Sequence, residues 1–241
     1  MDNRYYITIQ SDNKAIVSDQ EFQHLVKVRR SQVADEIVGF NGDGYDYQLK
    51  ITLINKNNAE CEILDKSLNE ATKRPNISVY LASVKSDALD EALDNLTQLN
   101  IADISIFTSD YTNVKYDSKK IEKVKTHFIQ SCKQCERADI PSIKFVKFDE
   151  MLEEIKTKDL KLFAYENADE DFLNVNIKEF RNKSIAIIVG GEGGFSNKEA
   201  EKLSNYAARV SLGKTILRAP VAVTAITSAV LAGLGEWHRW K

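Results

Sequence analysis

A glycine-rich turn is the part of this chain best suited to chemistry. Residues 185–203 read IAIIVGGEGGFSNKEAEKL, so an apolar strand ends in four glycines placed around Glu192. Ser196, with Glu199 three residues later, is typical of a capping box that opens a helix. Glycines let a ligand approach the backbone closely, and free amides at a helix start can donate hydrogen bonds to it. The turn is therefore a candidate ligand cradle, although glycine content alone fits a plain tight turn equally well.

A second candidate segment lies near the carboxyl end. Residues 208–234 read ARVSLGKTILRAPVAVTAITSAVLAGL, in which a short strand and a turn at Gly213 lead to Arg218. Pro220 suits the first turn of the apolar helix that follows. Arg218 stands alone between two apolar runs, so it needs an ionic partner if it is buried, or else it lies at the surface.

Two cysteines in a CxxC pattern, Cys132 and Cys135, could indicate a metal site. A closed zinc site needs four ligands. The other cysteine and the histidines stand at scattered positions, namely Cys61, His24, His127 and His238. We therefore expect no metal and interpret the pair as two helix-borne thiols near an interface.

Composition limits the class of protein. A chain of 241 residues with 43% hydrophobic residues can bury a sizeable core. The net charge of -3 argues mildly against a nucleic-acid partner, although the local distribution of charge matters more than the total. No segment approaches membrane-spanning length, the start MDNRYYITIQ lacks a leader pattern, and the three cysteines are sparse and odd in number. We expect a cytoplasmic protein with no membrane partner.

The two candidate segments need a scaffold, and the sequence changes character near residue 72. Before it, short strand-like runs alternate with turns, among them the hairpin signal NGDG at 41–44, which predicts a small barrel. The polar stretch KSLNEATKRPN at 66–76 is the best linker. After it, apolar strands alternate with helices, which predicts a parallel sheet covered on both sides. We place the domains at 1–72 and 73–241, with the glycine turn at the carboxyl end of a strand, where such sheets bind ligands.

Four ordered motifs resemble the RsmE-type family of the SPOUT superfamily, the bacterial 16S ribosomal RNA uridine-N3 methyltransferases. VGGEGGFS is similar to the family's IGPEGG followed by F or L and S, and LGKTILR is similar to its LGxxxLR. QSCKQCERADIP at 130–141 resembles its QCGR region, with Glu136 in place of glycine. HLVKVRR at 24–30, followed by FNGDGYDYQLKI at 40–51, resembles its amino-terminal barrel signature. The resemblance covers essentially the whole chain.

The resemblance implies a fold, a cofactor and partners. It implies an α/β fold in which a SPOUT trefoil-knotted parallel-sheet domain follows a small PUA-like β-barrel that helps to grip RNA. It implies a homodimer whose substrate is 16S ribosomal RNA or the small ribosomal subunit. It further implies that S-adenosylmethionine lies bent among three loops, whose residues here are Ala164, Tyr165, Glu166, Val189, Gly190, Gly191, Glu192, Gly193, Gly194, Leu212, Gly213, Ile216, Leu217 and Arg218.

Catalytic and RNA-contacting roles follow from the same resemblance. The sulfonium methyl is already electrophilic, so the protein must align it with uracil N3 and stabilise the developing anion. We expect Arg218 to do so, since a fixed guanidinium can neutralise charge on the uracil oxygens. Glu192 is a second catalytic candidate, for orienting the substrate or holding its loop. For RNA contact we expect the basic residues Lys27, Arg29, Arg30, Lys133 and Arg137.

The chain departs from the family pattern on the substrate side. An acid and a hydroxyl that usually follow the LR pair are absent from Ala219-Pro220-Val221. Asn95 replaces a lysine, Gln98-Leu99-Asn100 replaces Glu-Leu-Gly, and Gly191 replaces a proline. Two alternatives therefore stay open: a SPOUT methyltransferase acting on another RNA site, or a catalytically weakened RNA-binding dimer that keeps the cofactor pocket. An oligonucleotide-binding barrel with an unrelated α/β domain is disfavoured by the four ordered motifs.

Overall fold

The computed structural model describes residues 3–112, 118–166, 168 and 175–237, with the backbone alone for 118–121. The chain forms two compact units. One comprises residues 1–73 together with 128–140, and the other comprises 74–127 together with 141–241. Across the described ranges, no helix combines the length and the apolar character needed to cross a membrane.

The first unit is a curled six-stranded sheet. Its strands are β1 (Arg4–Tyr6), β2 (Thr8–Ser11), β3 (Lys14–Ser18), β4 (Glu36–Phe40), β5 (Tyr45–Ile54) and β6 (Asn58–Leu68), in the order β1-β4-β5-β6-β3-β2. The two edge strands are separated in sequence by Ile7 alone, whose amide donates a hydrogen bond to the carbonyl of Phe40 at 2.9 Å. Because both edges belong to one nearly continuous stretch of chain, the sheet curls until its two edges come together, as in the predicted small barrel.

Local signals explain the turns of this barrel. Strands β4 and β5 are antiparallel, and Gly42 and Gly44 between them have φ angles of 92° and 90°, which glycine adopts without strain. The side chain of Asn41 accepts a hydrogen bond from the amide of Asp43 at 3.1 Å, as expected for an Asx turn. Between β3 and β4 lie helix α1 (Asp19–Gln23) and a π-helical turn (His24–Val28).

The second unit contains six parallel strands. These are β7 (Ile77–Ala82), β8 (Asp103–Thr108), β9 (Ser142–Lys147), β10 (Leu160–Ala164), β11 (Ile185–Val189) and β12 (Ala208–Val210), in the order β12-β10-β11-β7-β8-β9. The helices are α2 (Ser86–Gln98), α3 (Ser118–Gln134), which runs on into the first unit, α4 (Phe148–Lys156), α5 (Asn197–Ser204) and α6 (Ala219–Leu234). Every residue of β7 and β11 is buried, as expected for inner strands of a sheet covered on both sides. The predicted parallel sheet is confirmed.

The strand order determines where a ligand can bind. Strand β10 lies between β11 and β12, and all three run in the same direction. The loops that leave their carboxyl ends therefore emerge at one edge of the sheet. Helix α6 follows the last of these loops and packs on α2 and β11. The threading of this carboxyl-terminal segment into a trefoil knot stays a prediction.

Candidate active site

A cavity of about 290 Å³ lies at this edge of the sheet. It is formed by the loops that follow β10, β11 and β12 and by the first turns of α6. Every cofactor residue that the sequence predicts lines it except Arg218, namely Ala164, Tyr165, Glu166, Val189, Gly190, Gly191, Glu192, Gly193, Gly194, Leu212, Gly213, Ile216 and Leu217. Three stretches of chain, separated by 22 and 15 residues, thus meet around one space.

The glycine loop folds back on itself, and this shape requires its glycines. The amide of Gly194 donates to the carbonyl of Gly191 at 3.0 Å, and Gly194 has a φ of 67°. A Cβ atom at Gly190 would lie 3.1 Å from the backbone carbon of Gly194, which is closer than side chains normally approach. Side chains at Gly190 or Gly194 would therefore open the loop and displace backbone from the cavity wall.

A capping box holds the end of this loop. The side-chain oxygen of Ser196 accepts from the amide of Glu199 at 3.2 Å, and Glu199 Oε2 accepts from the amide of Ser196 at 2.9 Å. The predicted helix start is confirmed, and Glu199 is also buried, with 3% of its surface exposed. Since α5 begins at Asn197, the box sets the direction in which the glycine loop leaves the sheet.

Phe195 is a cavity residue that the sequence analysis missed. It lines the cavity directly after the glycines, and its ring stacks on Phe107 at 6.3 Å and meets Phe163 edge-on at 5.8 Å. The aromatic cluster therefore joins the floor of the cavity to the core of the sheet. Its position in the sequence, as an apolar residue between the four glycines and the helix cap, could have predicted that it lines the cavity. The cavity lining also includes Lys214 and Thr215, which lie within the third predicted loop, and Ser211, Ala219 and Ala222, which lie outside it.

The loop after β10 also contacts its neighbours. The amide of Tyr165 donates to the carbonyl of Val210 at 3.1 Å, which links this loop to β12. The carboxylate of Glu166 faces the glycine loop, since a Cβ built on Gly194 would lie 3.4 Å from its Oε1. An acid therefore stands against the most tightly folded part of the cavity wall.

Glu192 connects the glycine loop to a helix start. Its Oε1 accepts a hydrogen bond from the amide of Lys85 at 3.2 Å, and Lys85 is the residue that precedes α2. A carboxylate at a helix amino terminus is favoured by the free amides there. The geometry supports the role of holding the loop.

Arg218 lies beside the cavity, and its catalytic and cofactor-binding roles stay predictions. It is absent from the cavity lining, 73% of its side chain is exposed, and its Nη2 lies 3.7 Å from Glu91 Oε1. The reason is local: Arg218 is the residue before α6, and its extended backbone directs the side chain away from the cavity that Leu217 and Ala219 line. It is therefore a neighbour of the cavity rather than part of its wall.

Comparison with known proteins identifies the family. A family model described as an RNA methyltransferase domain matches residues 71–231, and one described as an RNA methyltransferase PUA domain matches residues 17–64. Ribosomal RNA small subunit methyltransferase E of Rickettsia conorii is 33% identical over 239 residues, which is 96% of each chain. This chain belongs to the methyltransferase E family.

Further relatives agree with the assignment. The methyltransferase E of Bacillus subtilis is 26% identical over 227 residues and covers 89% of this chain and 88% of its own. A crystal structure of the Neisseria gonorrhoeae methyltransferase E bound to S-adenosylmethionine has a TM-score of 0.83, covers 95% of this chain and 97% of its own, and is 23% identical. The predicted fold class, a parallel-sheet SPOUT domain preceded by a PUA-like domain, is confirmed.

The five basic residues that we expect to contact RNA form two groups, one exposed and one paired with carboxylates. Lys27, Arg29 and Arg30 are exposed on and after the π-helical turn of the barrel. Lys133 and Arg137 are instead engaged within the first unit. Lys133 forms an ion pair with Glu21, and Arg137, with 1% of its side chain exposed, pairs with Asp139 at 2.8 Å. Both side chains are therefore paired with carboxylates of the first unit, and their contact with RNA stays a prediction.

Of the two CxxC cysteines, Cys132 is buried and Cys135 is partly buried. Burial raises the pKa of the Cys132 thiol to about 12 and also raises that of Cys135. A protonated thiol is a poor metal ligand. In the part of the chain that is described, no cluster of three or more His, Cys, Asp and Glu residues could hold a metal, and His238 lies outside that part.

Proposed function

We propose that this chain transfers a methyl group from S-adenosylmethionine to N3 of a uridine in 16S ribosomal RNA. The observation that carries the proposal is the meeting of three loops, each picked out by its motif, around a single cavity in a member of an RNA methyltransferase family. The Neisseria relative, which is bound to S-adenosylmethionine, has the same fold. The choice of uridine N3 rests on the family resemblance.

The cavity residues fit this cofactor. Its wall combines apolar side chains such as Leu212 and Leu217 with glycine backbone that a Cβ would displace, so a flat heterocycle can lie against it. Glu166 and Glu192 place carboxylates on the wall, and these would suit the sulfonium charge and the ribose hydroxyls of the cofactor. The cofactor supplies an electrophilic methyl group, and the protein supplies its alignment with the acceptor.

Arg218 is proposed to act on the acceptor side. Its guanidinium is exposed next to Leu217 and Ala219, so an incoming uracil can meet it without displacing core residues. A guanidinium close to the uracil oxygens stabilises the negative charge that develops as N3 loses its proton. Its contact with Glu91 is at 3.7 Å between two well-exposed side chains, which is a weak attachment. Glu192 keeps the glycine loop in place for the same step.

The barrel is proposed to hold the RNA. Lys27, Arg29 and Arg30 present three cations from one short segment, which suits phosphate contacts. A base inside an RNA helix must be unstacked to enter the cavity, whereas a loop base is more readily presented. A ribosomal substrate would place the reaction in the cytoplasm.

A homodimer is proposed as the working form. Ile216, in the cavity lining, and Val221, on the first turn of α6, are 89% and 40% exposed, and neighbouring exposed aliphatic side chains are typical of an interface. A second copy of the chain would cover them. Light scattering coupled to size exclusion is expected to give twice the monomer mass.

Mass spectrometry of ribosomal RNA tests the function. We expect N3-methyluridine to disappear from one position of 16S RNA in a strain that lacks this gene. It should return with the wild-type gene and not with Arg218→Ala. Methylation lost from a ribose or from transfer RNA would instead identify another acceptor. Unchanged methylation, together with binding of S-adenosylmethionine by the purified protein, would favour the weakened RNA-binding dimer.

A further inference from the structure

A rigid turn stands next to the glycine loop and has no role in the mechanism above. It follows the carboxyl end of β8 and spans residues 109–112. The hydroxyl of Thr112 donates to the carbonyl of Ser109 at 2.9 Å and accepts from its amide at 2.9 Å, and the amide of Thr112 donates to the same carbonyl at 3.0 Å. Three hydrogen bonds between two residues fix the conformation of the turn.

The turn is attached to the start of α5. Glu199 Oε1 accepts from the amide of Asp110 at 2.9 Å, and the hydroxyl of Ser196 donates to Asp110 Oδ2 at 2.6 Å. Glu199 and Ser196 are the same residues that form the capping box behind the glycine loop. The turn and the cofactor loop are therefore held by one shared set of hydrogen bonds.

Tyr111 lies at the tip of this turn and is 58% exposed. The Cβ of Tyr111 lies 3.0 Å from the position of a Cβ built on Gly193, so the tyrosine lies directly against the glycine loop, and a side chain at 193 would press on it. An aromatic side chain held on a fixed backbone, exposed, and adjacent to a methyl-transfer cavity has the properties of a surface on which nucleic-acid bases stack.

We propose that Tyr111 is the stacking platform for the RNA base that is presented to the cavity. This inference rests on the proposed function, since it assigns a residue for binding the acceptor nucleotide. Stacking uses the ring and not the hydroxyl, so the proposal predicts that phenylalanine replaces tyrosine at this position. A nonaromatic residue of similar bulk, such as leucine, is not expected to replace tyrosine.

The test compares binding and turnover with the RNA fragment that the wild-type protein methylates. Tyr111→Ala and Tyr111→Leu are expected to lower kcat/KM for RNA by about 10- to 100-fold, while Tyr111→Phe stays within about threefold of the wild type. The affinity for S-adenosylmethionine, measured by calorimetry, is expected to be unchanged in all three. Tyr206→Ala is the matched control, because Tyr206 is 42% exposed and does not line the cavity.

A second readout does not depend on turnover. Tyr111→Ala should weaken binding of the uridine-containing fragment, measured by fluorescence anisotropy, and should leave binding of the same fragment with an abasic acceptor site unaffected. Equal weakening for both fragments, or wild-type kinetics in Tyr111→Leu, would overturn the proposal while leaving the methyltransferase function intact. A wild-type protein that methylates no RNA would overturn both.

Discussion

Lys133 Nζ lies 2.7 Å from Glu21 Oε2 and 2.9 Å from Glu21 Oε1, and the two residues are 112 positions apart in sequence. The exposed fractions of the two side chains are 16% and 11%. The ion pair joins the end of α3 to α1 on the barrel, and Gln130 contributes a third hydrogen bond to the same carboxylate at 3.3 Å. A lysine that resembles a surface cation in sequence is thus part of the barrel's structure.

Breaking this pair is expected to destabilise the protein. Lys133→Met would leave Glu21 charged and poorly solvated, so we expect the free energy of unfolding to fall by about 2–3 kcal/mol. The double variant Glu21→Gln with Lys133→Met should lose less than the sum of the single losses. Urea denaturation measures the free energy of unfolding of Lys133→Met, Glu21→Gln and the double variant. If Lys133→Met is as stable as the wild type but binds RNA less tightly, Lys133 contacts RNA and does not stabilise the barrel.

Glu136 is predicted to be a destabilising residue. It follows the end of α3 with a φ of 62°, in the left-handed region that favours glycine. The family usually has glycine there, and Glu136→Gly should raise the free energy of unfolding by about 1 kcal/mol. Glu136→Ala keeps a Cβ and is the control, with little change expected. Equal effects of glycine and alanine would show that the backbone is not strained.

Asn100 has the same left-handed backbone conformation as Glu136, and we expect its replacement by glycine to change stability less. It also replaces a family glycine and has a φ of 61° after α2. Asparagine tolerates this conformation better than glutamate, and its Oδ1 accepts a hydrogen bond from Arg74 at 3.0 Å. Asn100→Gly should therefore change stability by less than about 0.5 kcal/mol, because the relief of strain is offset by the lost hydrogen bond.

Local sequence patterns predicted much of the fold and the cavity. The NGDG turn, the capping box at Ser196 and the apolar strands depend on residues close together in sequence, and their conformations follow from local sterics and hydrogen bonding. The loops could be joined into one site because the carboxyl ends of parallel strands share an edge. The burial of Arg137 and the pairing of Lys133 with Glu21 depend on packing between segments that are distant in sequence, which no local pattern encodes.

Two buried thiols of the first unit, Cys61 on β6 and Cys132 on α3, give a prediction for alkaline pH. Burial raises the pKa of Cys132 to about 12 and that of Cys61 to about 11, from an ordinary value of 9.0. Since the folded state holds both thiols protonated, their contribution to the free energy of unfolding is present in full below pH 9. It is lost as the pH rises through the raised pKa values of the folded state. Stability should fall by up to about 1.4 kcal/mol per pH unit for each thiol above pH 9. Cys132→Ala should show a shallower slope in urea denaturation at pH 8 to 10.5; identical slopes would contradict the assignment.

The hydrogen bond between Glu192 and the amide of Lys85 gives a prediction about the cofactor loop. Glu192→Ala removes the attachment of the loop to α2, so we expect the affinity for S-adenosylmethionine to fall about 3- to 10-fold, corresponding to one hydrogen bond. Glu192→Gln keeps an acceptor oxygen and loses the charge, so its affinity should lie between those of the alanine variant and the wild type. Glu201→Ala is the control, because Glu201 is exposed on α5 and does not line the cavity.

Calorimetry measures the affinities, and single-turnover kinetics at saturating cofactor measure the chemical step. If Glu192 acts only by holding the loop, saturating cofactor should restore most of the methylation rate in Glu192→Ala. A rate that stays low at saturation would instead place the carboxylate in contact with the acceptor.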